Sequence, residues 1–304
     1  MPLDRSKLFG LAMGVLAALI GGGWQVATRA ATTSANIAAA DLVLLRYAIP
    51  ALVLAPVLAR IGLLPKGVNR GGLALVWLGA GLPFGLLAIA GSRLAPPAHM
   101  GVLMAGASPL IAAVLAWLMW RERPGKLRGV GLAVMTFAVA LLGAKSLAHW
   151  SGDTWRGDLL FLAAASLWAI YALVFRRLGI TPWQAAALIN AWSAIVAIAW
   201  MFARGSTGLG ALSGFDLAWQ ALWQGVLAGV LGLWSYSVAI TRLGAAQAAA
   251  FGALAPAVSA LGGWVFLGDA LTPIDGVAVA AAMVGVALAS GAFGARNDGV
   301  DKGR

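Results

Sequence analysis

The sequence predicts an all-α integral membrane protein whose ten transmembrane helices form two inverted five-helix repeats. Composition is the first ground: of 304 residues, 62% are hydrophobic and 10% charged, against about 25% charged in an average soluble domain. Length is the second. Apolar runs of about 20 residues recur along the chain, each enough to cross roughly 30 Å of hydrocarbon. The third is a pattern kept twice: Pro109, Glu122 and Gly129 return 147 positions later as Pro256, Asp269 and Gly276, with both intervals preserved.

In order, the spans are 8–29, 37–59, 72–91, 97–119, 127–146, 157–176, 183–203, 217–240, 245–267 and 274–294. The first follows the charged opening of Asp4, Arg5 and Lys7 and closes on Arg29; it is a full span long and lacks a clean cleavage site behind it. The second closes on Arg60, the third lies between Arg70 and Arg93, and the fourth ends before Arg121, Glu122 and Arg123. Lys126 opens the fifth and Lys145 ends it. Arg156 precedes the sixth, which closes on Arg176 and Arg177; Arg204 ends the seventh, Arg242 the eighth, Asp269 the ninth and Arg296 the tenth. The longer connections, 60–71, 147–156 and 204–216, are too short to hold another domain. Residues 1–146 thus make one repeat, 147–156 a connecting loop, and 157–304 the second repeat with a C-terminal tail.

Cytoplasmic loops near a membrane are enriched in Lys and Arg. Counted on alternate sides, fifteen fall on the side of the N terminus and five on the other, with Arg46 inside a span. Both termini are therefore expected in the cytoplasm, the chain crossing the inner membrane many times. The same distribution accounts for the net charge of +11 without a nucleic-acid partner.

Five spans per repeat, an odd number, force the copies into opposite orientation. Loop charge agrees: Arg123, Lys126 and Arg128 follow Glu122, whereas Asp269 is followed by Asp275 and no base. Thirteen helical residues rise about 20 Å, which puts Pro109 and Pro256 near the middle of the bilayer. A proline there removes a backbone donor and weakens the helix. Two readings stay open, a packing kink and a working hinge. Glu122 and Asp269 lie at opposite faces, too far apart for a catalytic pair, and are expected to tie helix ends to neighbouring spans. Inverted repeats can trade conformations and expose one midplane site to each side in turn.

The ten-span layout, the Leu45–Arg46 pair and the doubled proline, acid and glycine resemble the drug/metabolite transporter superfamily, in particular its EamA-type exporters and, within them, the YddG-like amino-acid exporters. The resemblance covers nearly the whole chain. It implies a carrier that exports small metabolites, amino acids including aromatic ones, through the lipid bilayer. Two positions depart from the pattern: Asp269 stands where glutamate is usual, and Asn190 falls 144 residues after Arg46, so the halves are expected to contribute unequally.

A charge at mid-span costs roughly 2.5–3.5 kcal/mol on insertion scales, so Arg46 should face a cavity or a partner. Either it attracts a substrate carboxylate, or it is tied to Asp41 or to backbone carbonyls. His99 can gate, carry a proton near neutral pH or sit among lipid headgroups. No Asp or Glu occupies the centre of a span, which makes uncoupled transport the default. Most of the fourteen tryptophans lie near span ends or in loops, as aromatic belts do. Trp24, Trp168, Trp192 and Trp234 sit deeper, beside Gln25, Tyr171, Asn190, Ser193, Ser235 and Tyr236. Trp24, Gln25, Arg46, His99, Trp168, Tyr171, Asn190, Trp234 and Tyr236 are therefore the candidate lining of a central cavity, mostly apolar with a few placed polar groups. Packed interior aromatics are the alternative.

Other chemistry finds no foothold. There is no GxxxxGK[ST] loop, no HExxH pair and no GxSxG elbow. With no cysteine and two histidines, no metal or other cofactor is expected, and no enzyme. A monomeric carrier is the leading reading. An exporter of drugs or other metabolites, a channel-like facilitator and a membrane-embedded enzyme are its rivals.

Overall fold

The computed structural model describes residues 5–121, 124–148, 152–205, 207–243 and 250–290, with the backbone alone at Arg176 and Ile240. Every regular element among them is helical. The first half holds α1 (Arg5–Thr33), α2 (Ala39–Val53), α3 (Ala55–Ile61), α4 (Arg70–Ala80), α5 (Leu82–Leu94), α6 (Pro97–Met100), α7 (Ala107–Trp120) and α8 (Lys126–Ala148). The second holds α9 (Thr154–Leu178), α10 (Pro182–Arg204), α11 (Gly214–Gln220), α12 (Gly232–Leu243), α13 (Ala255–Leu267) and α14 (Pro273–Ala289). Wider π-helical turns join α6 to α7 at Gly101–Gly106 and α11 to α12 at Ala221–Leu231.

Seven helices are long and apolar enough to cross a membrane, and α2 with α3, bent by 66°, makes an eighth. Two shorter apolar helices occupy the expected ninth and tenth positions. Residues 245–249 of the ninth and 291–294 of the tenth lie outside the described residues, as does Glu122.

Local chemistry sets the helix ends. Thr181 and Gln184 form a reciprocal cap at the start of α10, and Thr272 and Asp275 do the same for α14, each with proline at the first helical position. The second and third spans break in the middle. Tyr47 in α2 closes the break at Gly81 by donating to the Gly81 carbonyl at 2.5 Å, while Ser193 of α10 accepts from Leu82 N at 3.0 Å and Trp77 Nε1 at 3.1 Å. A broken helix is tolerated inside a bilayer where neighbours satisfy the freed backbone groups. The two repeat prolines also stand where helix geometry changes: Pro109 is the third residue of α7, just past a π turn, and Pro256 the second of α13, just past the 3-10 turn Gly252–Leu254.

The halves interdigitate. α1 packs on α12 and α13, and in the matching exchange α9 packs on α4 and α5. α2 meets α10, α8 lies along α14, and α6 rests on α13. Glycine sets the closest approaches: a Cβ on Gly79 would stand 2.6 Å from the Leu167 carbonyl oxygen, and one on Gly131 would stand 2.6 Å from Ala289 N. Small residues at such seams let membrane helices gain van der Waals contact. The core runs between the repeats as well as within them, with Trp24, Phe84, Met100, Leu103 and Phe161 in one buried cluster.

Candidate functional site

Arg46 stands in the seam between the halves, its guanidinium carbon 4.3 Å from the centre of the Trp24 ring. A cation over an indole face is worth about 0.5–2 kcal/mol, more as water is excluded. Nε and Nη1 of Arg46 are buried without a hydrogen-bond partner. Of the alternatives for Arg46, the link to Asp41 is not formed; Asp41 accepts from Thr207 Oγ1 at 2.9 Å and Gly208 N at 3.0 Å, which fastens the loop after α10. Trp24 is itself held, donating Nε1 to Gln224 Oε1 at 2.6 Å, and Gln224 donates onward to Thr28 and Gln220. This chain of amides joins α1 to the eighth span and fixes the ring under the guanidinium. Nearby on α1, Gln25 is buried with Oε1 unpartnered, and on the eighth span so is Trp223 Nε1.

The remaining aromatics continue from this point. Trp24 shares its apolar cluster with Phe84, whose ring centre lies 5.2 Å from that of Trp168. Trp168 meets Tyr171 at 5.0 Å, Tyr171 stacks on Phe175 at 5.6 Å, and Tyr171 and Tyr236 are electrostatic neighbours. Trp168, Trp234 and Tyr236 are each more than a third exposed, whereas Trp24 is buried. Asn190 turns its amide back onto its own helix, donating to the Ala186 carbonyl at 2.8 Å. Trp192, expected with the deep tryptophans, instead donates to the Leu63 carbonyl beyond α3 at 3.1 Å.

His99 is apart from this group. It is 2% exposed rather than set among headgroups, with Nδ1 2.8 Å from Asp158 and Nε2 3.5 Å from Asp275. Lys145 Nζ donates to both oxygens of Asp275 at 2.6 Å, and Ser146 donates to Asp158 at 2.5 Å. Arg29 reaches the carbonyls of Ser92 and Arg93 and pairs with Asp269 at 3.8 Å. Asp269 Oδ2 has no hydrogen-bond partner, and burial pushes the carboxyl above its ordinary range against the opposing pull of Arg29. These groups share the end of the bundle that is poor in bases.

Sequence reasoning named Arg46, Trp24, Trp168, Tyr171 and Tyr236, and the structure lays them along one aromatic seam. It gives His99 other partners, Asp158 and Asp275, and turns the Asn190 amide onto its own helix. It adds Gln220 and Gln224, a polar pair four residues apart in an apolar span and so readable from helical spacing, and Asp158, Asp275 and Lys145. Lys145 and Asp275 stand at span edges and read as loop charge, and Asp158 at the start of the sixth span carries no signal of its own.

The EamA-like transporter family matches twice, over residues 8–144 and 155–291. The chain belongs to this family. As an EamA-like transporter it is a multi-pass membrane protein that moves a small molecule across a lipid bilayer. No curated protein matches in sequence. A solved structure described only as the crystal structure of a protein is similar over 98% of this chain and 99% of its own, with a TM-score of 0.58 and 21% identity. That likeness shows the fold alone.

Proposed function

We propose that this EamA-like transporter is a secondary carrier that exports amino acids, aromatic ones included, across the cytoplasmic membrane by alternating access. In this reading it has ten spans in two inverted repeats, both termini are cytoplasmic, and the base-poor end faces outward. The observation that carries it is Arg46: a guanidinium stacked on Trp24, with two nitrogens unpaired, at the head of an aromatic seam between the repeats. A carboxylate completes the guanidinium through charge-assisted hydrogen bonds, and an apolar side chain fits the rings beyond. Pro109 and Pro256, each beside a change of helix geometry, let the fourth and ninth spans bend as the halves exchange.

The test is counterflow of labelled tryptophan in liposomes holding the purified chain, with the twenty amino acids and representative drugs as competitors. Saturable counterflow suppressed best by apolar amino acids is expected. Flux linear in concentration without counterflow makes it a channel-like facilitator. Suppression by drugs alone moves the substrate class, and no flux across the panel ends the carrier reading.

A further inference from the structure

We infer that His99, held between Asp158 and Asp275, is a proton-binding site whose proton fastens the two repeats together at the base-poor end. Each ring nitrogen faces a carboxylate, Nδ1 at 2.8 Å and Nε2 at 3.5 Å. A neutral imidazole carries only one N–H, so both nitrogens can donate only when the ring is protonated. The rest of the cluster is already committed. Asp158 accepts from Ser146, and Asp275 accepts from Lys145 and from the backbone and hydroxyl of Thr272.

Charge then balances. With the proton on, His99 and Lys145 offset Asp158 and Asp275 in a site where His99, Asp158 and Asp275 are all buried. With it off, one carboxylate is in excess, and an uncompensated buried charge is strongly destabilising. Among the described residues no neighbouring helix supplies a substitute, and Arg156 on α9 is exposed and pairs with Asp153. On α1, Arg29 is engaged by Asp269 and two carbonyls; on α5, Arg93 donates to Asn36; α13 carries no charged residue.

Every one of these ion pairs crosses the repeats: His99 and Lys145 belong to the first, Asp158 and Asp275 to the second. Losing the proton therefore loosens the attachment of one half to the other where alternating access requires them to part. The role as a coupling site rests on the carrier reading, and with it the uncoupled default gives way to coupling through a proton taken from outside. The proton site itself stands on the geometry alone.

The chain has no cysteine, so a single introduced pair reports cleanly. Gly152→Cys and Ala270→Cys place spin labels at exposed positions beside the starts of α9 and α14. Pulsed electron resonance on the full chain in lipid nanodiscs reads their separation at about pH 5.5 and about pH 8.5, either side of the ordinary histidine range. One short distance is expected in acid and a second, longer population in base. His99→Gln should abolish the response, and Asp158→Asn should move it to more acidic pH. An identical distribution at both pH values in the otherwise unaltered chain overturns the inference, as does a full response in His99→Gln. The comparison without further substitution decides the matter even if both variants misfold. Tryptophan counterflow on the same preparation separates the two readings: a pH-dependent distance without flux sinks the carrier and leaves the proton site, while flux with a fixed distance does the reverse.

Discussion

Replacing Arg46 with glutamine tests the seam directly. The substitution keeps a polar side chain of similar reach and removes the charge. A hydrogen bond to a charged group is worth about 1.5–3 kcal/mol, and each 1.4 kcal/mol is tenfold in affinity. Half-saturation for an amino acid should therefore rise about tenfold to a hundredfold. An amine lacking the carboxylate, such as tryptamine beside tryptophan, should change little. Stability gives the second readout. Because Nε and Nη1 have no protein partner, what the variant gives up within the protein is the contact with Trp24 and the interaction with the Tyr47 hydroxyl, so only a small fall in Tm is expected beside the loss of affinity. Counterflow with paired acids and amines, together with thermal unfolding in detergent, makes the measurement. Equal loss for acid and amine, or a marked fall in Tm, refutes the reasoning and makes Arg46 a structural residue.

Tyr47→Phe leaves the Gly81 carbonyl without the hydroxyl that seals the break in the third span, at a cost of about 1–3 kcal/mol; a lower Tm is the check. Gly131→Ala drives a methyl to 2.6 Å from Ala289 N and 2.7 Å from the Gly285 carbonyl oxygen, so α8 and α14 must separate, for about 1–3 kcal/mol and again a lower Tm. Pro109→Ala and Pro256→Ala should slow counterflow while expression stays near normal; unchanged flux in both makes them packing kinks.

Much of this was legible in the sequence because a bilayer constrains spans by length and polarity. The duplicated proline, acid and glycine point to a repeat, and the family matches twice along the chain. Helix breaks were less legible. The second and third spans read as continuous apolar runs, and the partners supplied by Tyr47 and Ser193 explain how the third opens at Gly81. The ninth and tenth were harder still, being short among the described residues. Arg46 and Trp24 showed themselves by chemical improbability, a charge and an indole deep in apolar sequence. His99 did too, but its partners did not. Asp158 and Asp275 occupy helix starts, where an acid is ordinary, and nothing local tells that α6, α8, α9 and α14 converge there.

That convergence ties the halves together by charge at one face. Inverted halves have related backbones, yet the side chains that join them at the base-poor end are divided by charge. Arg29, His99 and Lys145 come from the first repeat, and Asp269, Asp158 and Asp275 from the second. The joints are graded. Lys145 holds Asp275 at 2.6 Å, whereas Arg29 stands 3.8 Å from Asp269 and leaves one of its carboxylate oxygens unpaired. Among the described residues at the base-rich end, Arg242 donates to Ser6, Arg177 lies over Trp120 and Trp192 donates to the Leu63 carbonyl. Moving a two-state equilibrium from 1:99 to 99:1 takes about 5.5 kcal/mol, and breaking one buried ion pair costs about 3–5 kcal/mol. A single proton on His99 is thus of the right size to decide whether that end opens, which a ring of exposed loop charges would not be.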